Sequence, residues 1–184
     1  MADKSFTTML FAKSPSLDYY IRYASGTNLD HPSDASTRQT MDYFFYGTLC
    51  DPDVHRLILG YRPGPRQIRP ASLAGFRRKV ARGRSYPLLI RAPAGRVQGL
   101  LFTPHRRGDA ERLAAYEGPE YVTRRLWVRP RGADGCQPAQ VFLPASGMLP
   151  AGLADWHPQI WRRREKAAFV LSLHRQGSMP CANR

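Results

Sequence analysis

An aromatic strand that ends at a glycine is the feature of this sequence that most restricts its fold. Residues 43–50 read YFFYGTLC in one-letter code, and Asp51 and Pro52 follow directly. Consecutive aromatic residues favour a buried strand, whereas an acidic residue followed by proline is typical of a helix start. The stretch therefore predicts a strand that breaks into a tight turn and then into a helix.

A turn between a strand and a helix start exposes backbone N–H groups. The first N–H groups of a helix have no partner within it, and the helix N-terminus adds partial positive charge at the same place. We expect the amides of this turn to point toward one spot; the residues concerned are Tyr46, Gly47, Thr48 and Leu49. The turn is therefore a candidate binding site for an anion.

Length and cysteine content bound the class of protein. A chain of 184 residues is about one domain and can bury a core without disulfides or a structural metal. Its three cysteines lack CxxC spacing, and no pair of histidines has the spacing of a zinc site, so we expect no metal. Because the sequence shows neither a membrane-length apolar run nor a secretion signal, we expect a cytoplasmic protein.

The net charge of +14 raises the question of an anionic partner. A nucleic-acid surface would concentrate this charge in one stripe, with aromatic residues for stacking. Along the sequence the arginines instead come in small groups, at residues 77–78, 82–84, 124–125 and 162–164. We interpret these groups as solvated faces and do not expect a nucleic-acid partner, although anionic small molecules fit the charge.

Composition divides the chain into three parts. Residues 1–40 are rich in Ser, Thr, Asp and Pro, which predicts a weakly ordered leader. Met41 stands directly before the first strand, and we interpret it as a candidate for the true start. Residues 41–176 form the predicted domain, and residues 177–184 are expected to be a frayed tail.

Two helices have clear boundaries in the sequence. The first is predicted from Asp51 as N-cap to Gly60 as the C-terminal stop, with His55 on its solvent side. The second is predicted from Asp109 as N-cap to Glu117. A Gly-Pro pair follows directly and cannot continue that helix.

The end of the second helix carries the candidate acid–base residue. Glu117 closes a helix whose inner side is apolar, so desolvation and the negative end of the helix dipole would both raise the pKa of its carboxyl group. A carboxylate with a raised pKa can take up and return a proton near neutral pH. On the local sequence alone, a surface residue at a helix end stays open as the alternative. Glu120, the rival carboxylate, is expected to be a solvated loop residue.

Further apolar runs predict the remaining strands. These strands cover residues 66–80, 84–90, 97–102, 121–130 and 139–143. The first is bent at Gly75, and a turn at residues 93–95 separates the second from the third. Residues 144–152 are a predicted loop, and a final helical region follows.

Four stretches of the sequence together resemble a known family. FYGTL lies at residues 45–49, SYPL at residues 85–88 and GLL at residues 99–101. The end of the second helix and the start of the strand that follows it read YEGPEYVTRR, at residues 116–125. In this order and at these separations, over about residues 42–143, the motifs are similar to those of the gamma-glutamylcyclotransferase family, including its AIG2-like branch.

The resemblance implies an α+β fold, a small mixed β-barrel flanked by helices. It also implies conversion of a gamma-glutamyl amide or gamma-glutamyl amino acid to 5-oxoproline and a free amine, with Glu117 as general acid and base and with no cofactor or metal. The substrate would then be bound by the turn and by two tyrosines. The turn consists of Tyr46, Gly47, Thr48 and Leu49, and the tyrosines are Tyr86 and Tyr121. From the residues alone, the two tyrosines Tyr86 and Tyr121 could equally be core residues.

Two other functions stay open. A domain of this fold could bind an acidic metabolite without chemistry, or its basic surface could meet nucleic acid. The leaving group also stays open, because a gamma-glutamyl amine, a gamma-glutamyl amino acid and glutathione present the same glutamyl head. The oligomeric state is not predicted.

Overall fold

The structure is a computed structural model that describes residues 41–177. The predicted leader at residues 1–40, and residues 178–184 of the predicted tail, lie outside the described residues, whereas Gly177 ends the last helix. Within residues 41–177 the strands are β1 Tyr43–Phe45, β2 Ile68–Ala81, β3 Pro87–Phe102, β4 Tyr121–Pro130, β5 Gln137–Pro144 and β6 Ala151–Asp155. The helices are α1 Pro52–Leu59, α2 Asp109–Glu117, α3 Pro158–Arg164 and α4 Lys166–Gly177, and none of these is long and apolar enough to cross a membrane. The cytoplasmic location stays a prediction.

Five of the strands close into a barrel. Their order is β3-β1-β5-β4-β2, and β2 pairs again with β3. β1 pairs in parallel with β5 and antiparallel with β3, which makes the barrel mixed. β6 extends the sheet on the other side of β2. The predicted architecture, a small mixed β-barrel flanked by helices, is therefore confirmed.

β2 and β3 form one long antiparallel hairpin. Its pairing begins with Ile68 opposite Phe102 and shifts once, beside Gly75, whose φ of 82° suits the predicted bend. The prediction of a turn at residues 93–95 is wrong. These residues form a bulge inside β3, because the pairing with β2 resumes on both sides of them.

Two buried clusters divide the apolar side chains. One fills the barrel interior and includes Phe44 and Leu101. The other lies between the barrel and the helices and includes Phe45, Phe102 and Leu113. Because successive side chains of a strand point to opposite faces, the neighbours Phe44 and Phe45 belong to different clusters. The helices therefore cover the barrel surface at the end of β1.

α1 begins and ends where the sequence predicts. The side chain of Asp51 accepts the amide of Asp53, and Gly60 closes the helix at a φ of 75°. His55, however, was expected on the solvent side, and that expectation is wrong. Its side chain is only 4% exposed and packs at a tilt on the ring of Phe45. The reason is that α1 packs against the turn, α2 and α4 at once.

The N-cap of α2 lies one residue before the predicted cap, and the helix starts at Asp109. Gly108 is the N-cap, and Asp109 is fully buried. Oδ2 of Asp109 accepts the hydroxyl of Tyr61 at 2.6 Å and the amides of His105 and Arg106. The carboxylate therefore fixes the preceding loop and does not cap the helix.

The C-terminal part differs in one strand from the prediction. The predicted loop over residues 144–152 ends early, because β6 begins at Ala151 and pairs with β2. The final helical region is confirmed but is divided into α3 and α4. Trp161 of α3 and Phe169 of α4 pack edge to face, with ring centroids 5.5 Å apart. This contact joins the two helices over the barrel.

Candidate active site

One small pocket is lined by every residue that the sequence analysis assigned to the site. It lies where β1 ends, beside the C-terminal end of α2 and the first residues of β3 and β4. The lining residues are Phe44, Phe45, Tyr46, Gly47, Thr48, Leu49, Tyr86, Pro87, Glu117, Tyr121 and Phe142. The fold thus brings the catalytic candidate and the binding candidates together from distant parts of the chain.

The turn after β1 is a short 3-10 turn. Gly47 is its N-cap, Thr48–Cys50 form it, and the Cys50 amide donates to the Gly47 carbonyl at 2.9 Å. A Cβ at Gly47 would lie 2.9 Å from Cγ of Pro87, so glycine allows the turn to approach β3 closely. The α-helix begins at Pro52, as the sequence predicts, and the 3-10 turn lies between β1 and that helix.

Thr48 connects this turn to α2. Its Oγ1 lies 2.6 Å from the hydroxyl oxygen of Tyr116, which is a hydrogen-bond distance. Because Tyr116 directly precedes Glu117, this bond fixes the helix end relative to the turn. Burial, and then the charge of Glu117, raises the pKa of Tyr116 well above its usual value. The phenol therefore stays protonated at neutral pH.

Glu117 is the one carboxylate among the residues that line the pocket. It is half-buried and ends α2. Burial is the largest cause that raises the pKa of Tyr46, Tyr86 and Tyr121, and the charge of Glu117 raises each of these pKa values further. The pocket therefore combines one carboxylate with phenols that keep their protons.

Two of these phenols also brace the pocket wall. The Tyr46 hydroxyl donates to the carbonyl of Phe142 at 2.7 Å, and the Tyr121 hydroxyl donates to the carbonyl of Pro87 at 2.9 Å. Both tyrosine side chains are buried, and they belong to the two apolar clusters described above. The two readings of Tyr121 from the sequence therefore both apply, since it fills the core and lines the pocket.

Glu120 is not the solvated loop residue that the sequence analysis expected. Its Oε2 accepts the hydroxyl of Tyr86 at 2.7 Å, and its Oε1 lies 3.3 Å from Nη2 of Arg84. The side chain is 18% exposed. The prediction failed because the residues directly before β3 and β4 become neighbours only in the folded chain.

Sequence reasoning did not assign every residue of the site; Phe44 and Phe45 line the pocket but were predicted only as part of the buried strand before the turn. Pro87 and Tyr116 each stand next to a residue that was predicted, so their position was a usable signal. Phe142 had no such signal, because it comes from β5 near the C-terminal end of the barrel.

The chemical groups of the site are limited. Within residues 41–177 no group of three or more His, Cys, Asp or Glu side chains could hold a metal ion. The thiol of Cys50 donates to the carbonyl of Phe45 at 3.2 Å, and burial raises its pKa to about 12, so it is not a nucleophile at neutral pH.

The pocket is small. The space that water could occupy in it is about 20 Å³, which is room for one water molecule.

Known proteins share this sequence pattern and fold. Residues 43–161 match the family described as "Gamma-glutamyl cyclotransferase, AIG2-like". AIG2-like protein A of Arabidopsis thaliana is 27% identical over 132 residues, which cover 72% of this chain and 78% of that protein. AIG2-like protein B of the same organism is 26% identical over 140 residues, covering 75% and 78%. A solution structure of an Arabidopsis thaliana protein has a TM-score of 0.56 and 24% identity, and the match covers 80% of this chain and 99% of that one.

The fold is a small α+β architecture, a closed mixed barrel with a glycine turn and one carboxylate in the pocket beside it. The matched residues contain the whole candidate site described above. The chain belongs to the gamma-glutamyl cyclotransferase, AIG2-like family. The resemblance that the sequence motifs indicated is therefore confirmed.

Proposed function

We propose that this protein converts a gamma-glutamyl amide or gamma-glutamyl amino acid to 5-oxoproline and a free amine. The α-amine nitrogen of the glutamyl group attacks its own γ-carbonyl carbon, so that a new C–N bond closes the ring and the original amide C–N bond breaks. Starting from its ammonium form, the attacking nitrogen loses two protons, and the leaving nitrogen gains two protons and departs as an ammonium ion. The atoms of the substrate account for both products, so the reaction needs no co-reactant.

The observation that carries this proposal is that Glu117 shares one small pocket with the glycine turn. In the proposed mechanism Glu117 accepts a proton from the α-amine and returns it to the leaving nitrogen. One carboxylate is enough for both transfers, because the two nitrogens are bound to the same carbon in the tetrahedral intermediate. Family membership supports the same reaction type.

The glycine turn is proposed to bind the substrate's α-carboxylate. Successive backbone N–H groups of a turn form a concave donor site for anions, and Gly47, Thr48 and Leu49 line the pocket. The protonated phenol of Tyr86 provides a further polar contact at the wall. Binding the carboxylate holds the amine near the carbonyl, and such positioning supplies much of the rate of a cyclisation.

Substrate entry requires the pocket to widen. A space of about 20 Å³ admits one water molecule but no glutamyl group. Glu117 and Tyr116 are half-buried at a helix end, in contrast to the fully buried aromatic residues of the barrel. We therefore propose that side chains at the C-terminal turn of α2 rearrange when substrate binds, as is common at binding sites.

The test is an incubation of the purified full-length protein with gamma-glutamyl amines, gamma-glutamyl amino acids and glutathione. Mass spectrometry follows 5-oxoproline. We expect product from the wild type with at least one compound and none from Glu117→Gln, which keeps the side-chain size but removes the carboxylate. Glu111→Gln is the matched control, because Glu111 is an exposed carboxylate on the same helix, and it should keep the wild-type rate.

Two results would contradict the proposal. Equal rates for Glu117→Gln and the wild type would exclude Glu117 as the acid and base. A protein that binds a gamma-glutamyl compound in calorimetry, but forms no 5-oxoproline from any member of the panel, would be a binding module on this fold.

A further inference from the structure

An exposed tryptophan lies between two arginines on the outer side of β4. Arg125, Trp127 and Arg129 alternate with Leu126 and Val128, so the first three point to solvent while the apolar pair points into the barrel. Trp127 is 66% exposed. The other large aromatic side chains of the barrel strands are mostly buried, so the exposure of Trp127 requires a separate explanation.

A third arginine reaches this side of the barrel from β3. Nη1 of Arg96 donates to Oγ of Ser72 at 3.3 Å, and Ser72 on β2 is the register partner of Arg129. Within residues 41–177, neither Arg96, Arg125 nor Arg129 forms an ion pair. We call Arg96, Arg125, Trp127 and Arg129 the arginine–tryptophan face. Among the described residues no ion pair compensates its positive charge, which is complementary to an anionic partner.

We propose that the arginine–tryptophan face binds single-stranded nucleic acid. An unpaired base stacks on an exposed aromatic ring, while guanidinium groups on either side contact phosphates. Arg125 and Arg129 are four residues apart, which is about 13 Å along a strand, so the two guanidinium groups stand on either side of the ring of Trp127. The face lies apart from the residues of the candidate active site, so this proposal does not depend on the proposed reaction.

Such a surface was not expected from the sequence, because the arginines do not form one continuous stripe of positive charge along it. The stripe exists only after folding, since Arg96 comes from β3 and the pleat of β4 separates Arg125 and Arg129 from their apolar neighbours. Charge and an aromatic ring then meet on one side of the barrel. These are the two features that a stacking platform for single strands requires.

Tryptophan fluorescence gives a direct test. Of the three tryptophans, Trp127 is exposed, whereas Trp156 and Trp161 are 5% and 3% exposed. Titration of the full chain with an eight-nucleotide oligouridylate at low salt should quench the signal of Trp127. Trp127→Ala, assayed by fluorescence anisotropy of a labelled oligonucleotide, should weaken binding at least about fivefold, whereas Trp127→Phe should keep most of the affinity because it keeps a ring.

The arginines are tested through the salt dependence. Removing both charges in Arg125→Gln/Arg129→Gln should reduce the slope of log affinity against log salt by about 0.7 for each phosphate contact that is lost. Arg163→Gln/Arg175→Gln is the matched control, because it removes the same charge from exposed positions on α3 and α4. The control should leave the slope close to that of the wild type.

Several results would overturn the proposal. Equal losses from the two arginine pairs would mean that net charge alone attracts the oligonucleotide. An unchanged affinity in Trp127→Ala, or equal affinity for a duplex of the same length, would exclude stacking of an unpaired base. Binding to vesicles that contain phosphatidylserine, without oligonucleotide binding, would identify a membrane surface instead.

Discussion

The hydroxyl of Tyr86 donates a 2.7 Å hydrogen bond to Oε2 of Glu120, although 34 residues separate the two in sequence. Arg84 holds the other carboxylate oxygen at 3.3 Å. Tyr86 lines the same pocket as Glu117. Glu120 therefore fixes the orientation of a pocket phenol without itself lining the pocket.

Substitution of Glu120 should reduce activity in a graded way. Glu120→Gln keeps an acceptor for Tyr86 but loses the charge that faces Arg84, whereas Glu120→Leu loses both. A hydrogen bond to a charged group contributes about 1.5 to 3 kcal/mol, so we expect kcat/KM for 5-oxoproline formation to fall about tenfold or more in Glu120→Leu and less in Glu120→Gln. Steady-state kinetics on variants with matching circular dichroism spectra test this order. Wild-type kinetics in Glu120→Leu would show that Tyr86 needs no support from Glu120.

Gly47→Ala should disturb the turn at the pocket wall. The new Cβ would lie 2.9 Å from Cγ and 3.2 Å from Cδ of Pro87, so the turn and β3 must separate. Overpacking of this kind costs about 1 to 3 kcal/mol of the free energy of unfolding, and turnover should fall with it. Gly135→Ala is the control, because a Cβ there meets nothing within 4 Å. Urea denaturation measures both variants, and equal stability of the two would contradict the close approach of Gly47 and Pro87.

His55 should make the folded state less stable in acid. Burial lowers the pKa of His55 from 6.5 to about 4, with Asp51 acting in the opposite direction, and Nε2 has no hydrogen-bond partner. As pH falls below about 6.5, the unfolded chain takes up a proton at this position and the folded chain does not. Stability is therefore lost between about pH 6.5 and 4, by about 3 kcal/mol, and the loss is complete below the folded pKa.

The measurement compares the wild type with His55→Phe, which keeps a ring beside Phe45 but cannot titrate. Urea denaturation at pH 7, 5.5 and 4.5 should show a steeper loss of unfolding free energy in the wild type. Other groups titrate in both proteins, so the difference between the two curves isolates His55. Parallel curves would mean that His55 titrates alike in the folded and unfolded states.

Asp51 should stabilise the packing of the C-terminal helices on α1. Its side chain is 2% exposed, and it lies 3.2 Å from Nε of Arg162 and 2.9 Å from Nζ of Lys166. Asp51→Asn keeps a cap acceptor for α1 but removes the charge, and we expect it to lower the free energy of unfolding by about 2 kcal/mol.

Asp53→Asn is the matched control for Asp51. Asp53 lies 2.7 Å from the same Lys166 ammonium group, but its side chain is 52% exposed, so its loss should cost less than about 1 kcal/mol. Thermal or urea unfolding compares the two variants. Equal effects would mean that the burial of Asp51 adds nothing to its ion pairs.

Local signals in the sequence determined much of the fold. The limits of α1 follow from the Asp51 cap and the left-handed Gly60, and the strand before the turn follows from consecutive aromatic residues. Such features depend on residues a few positions apart, so the sequence alone could specify them. The motifs that indicated the family are of the same local kind.

Tertiary structure decided which side chains became partners. Closure of the barrel places Glu120 beside Tyr86, brings Phe142 to the pocket and buries His55 under the packed helices. It also places Arg96 on the same side of the barrel as Trp127. These contacts depend on strand pairing across tens of residues, and hydrophobic pattern sets the face of a side chain but not its neighbour on the next strand. The sequence therefore indicated the pocket and its carboxylate, and the fold determined the residues that hold them in position.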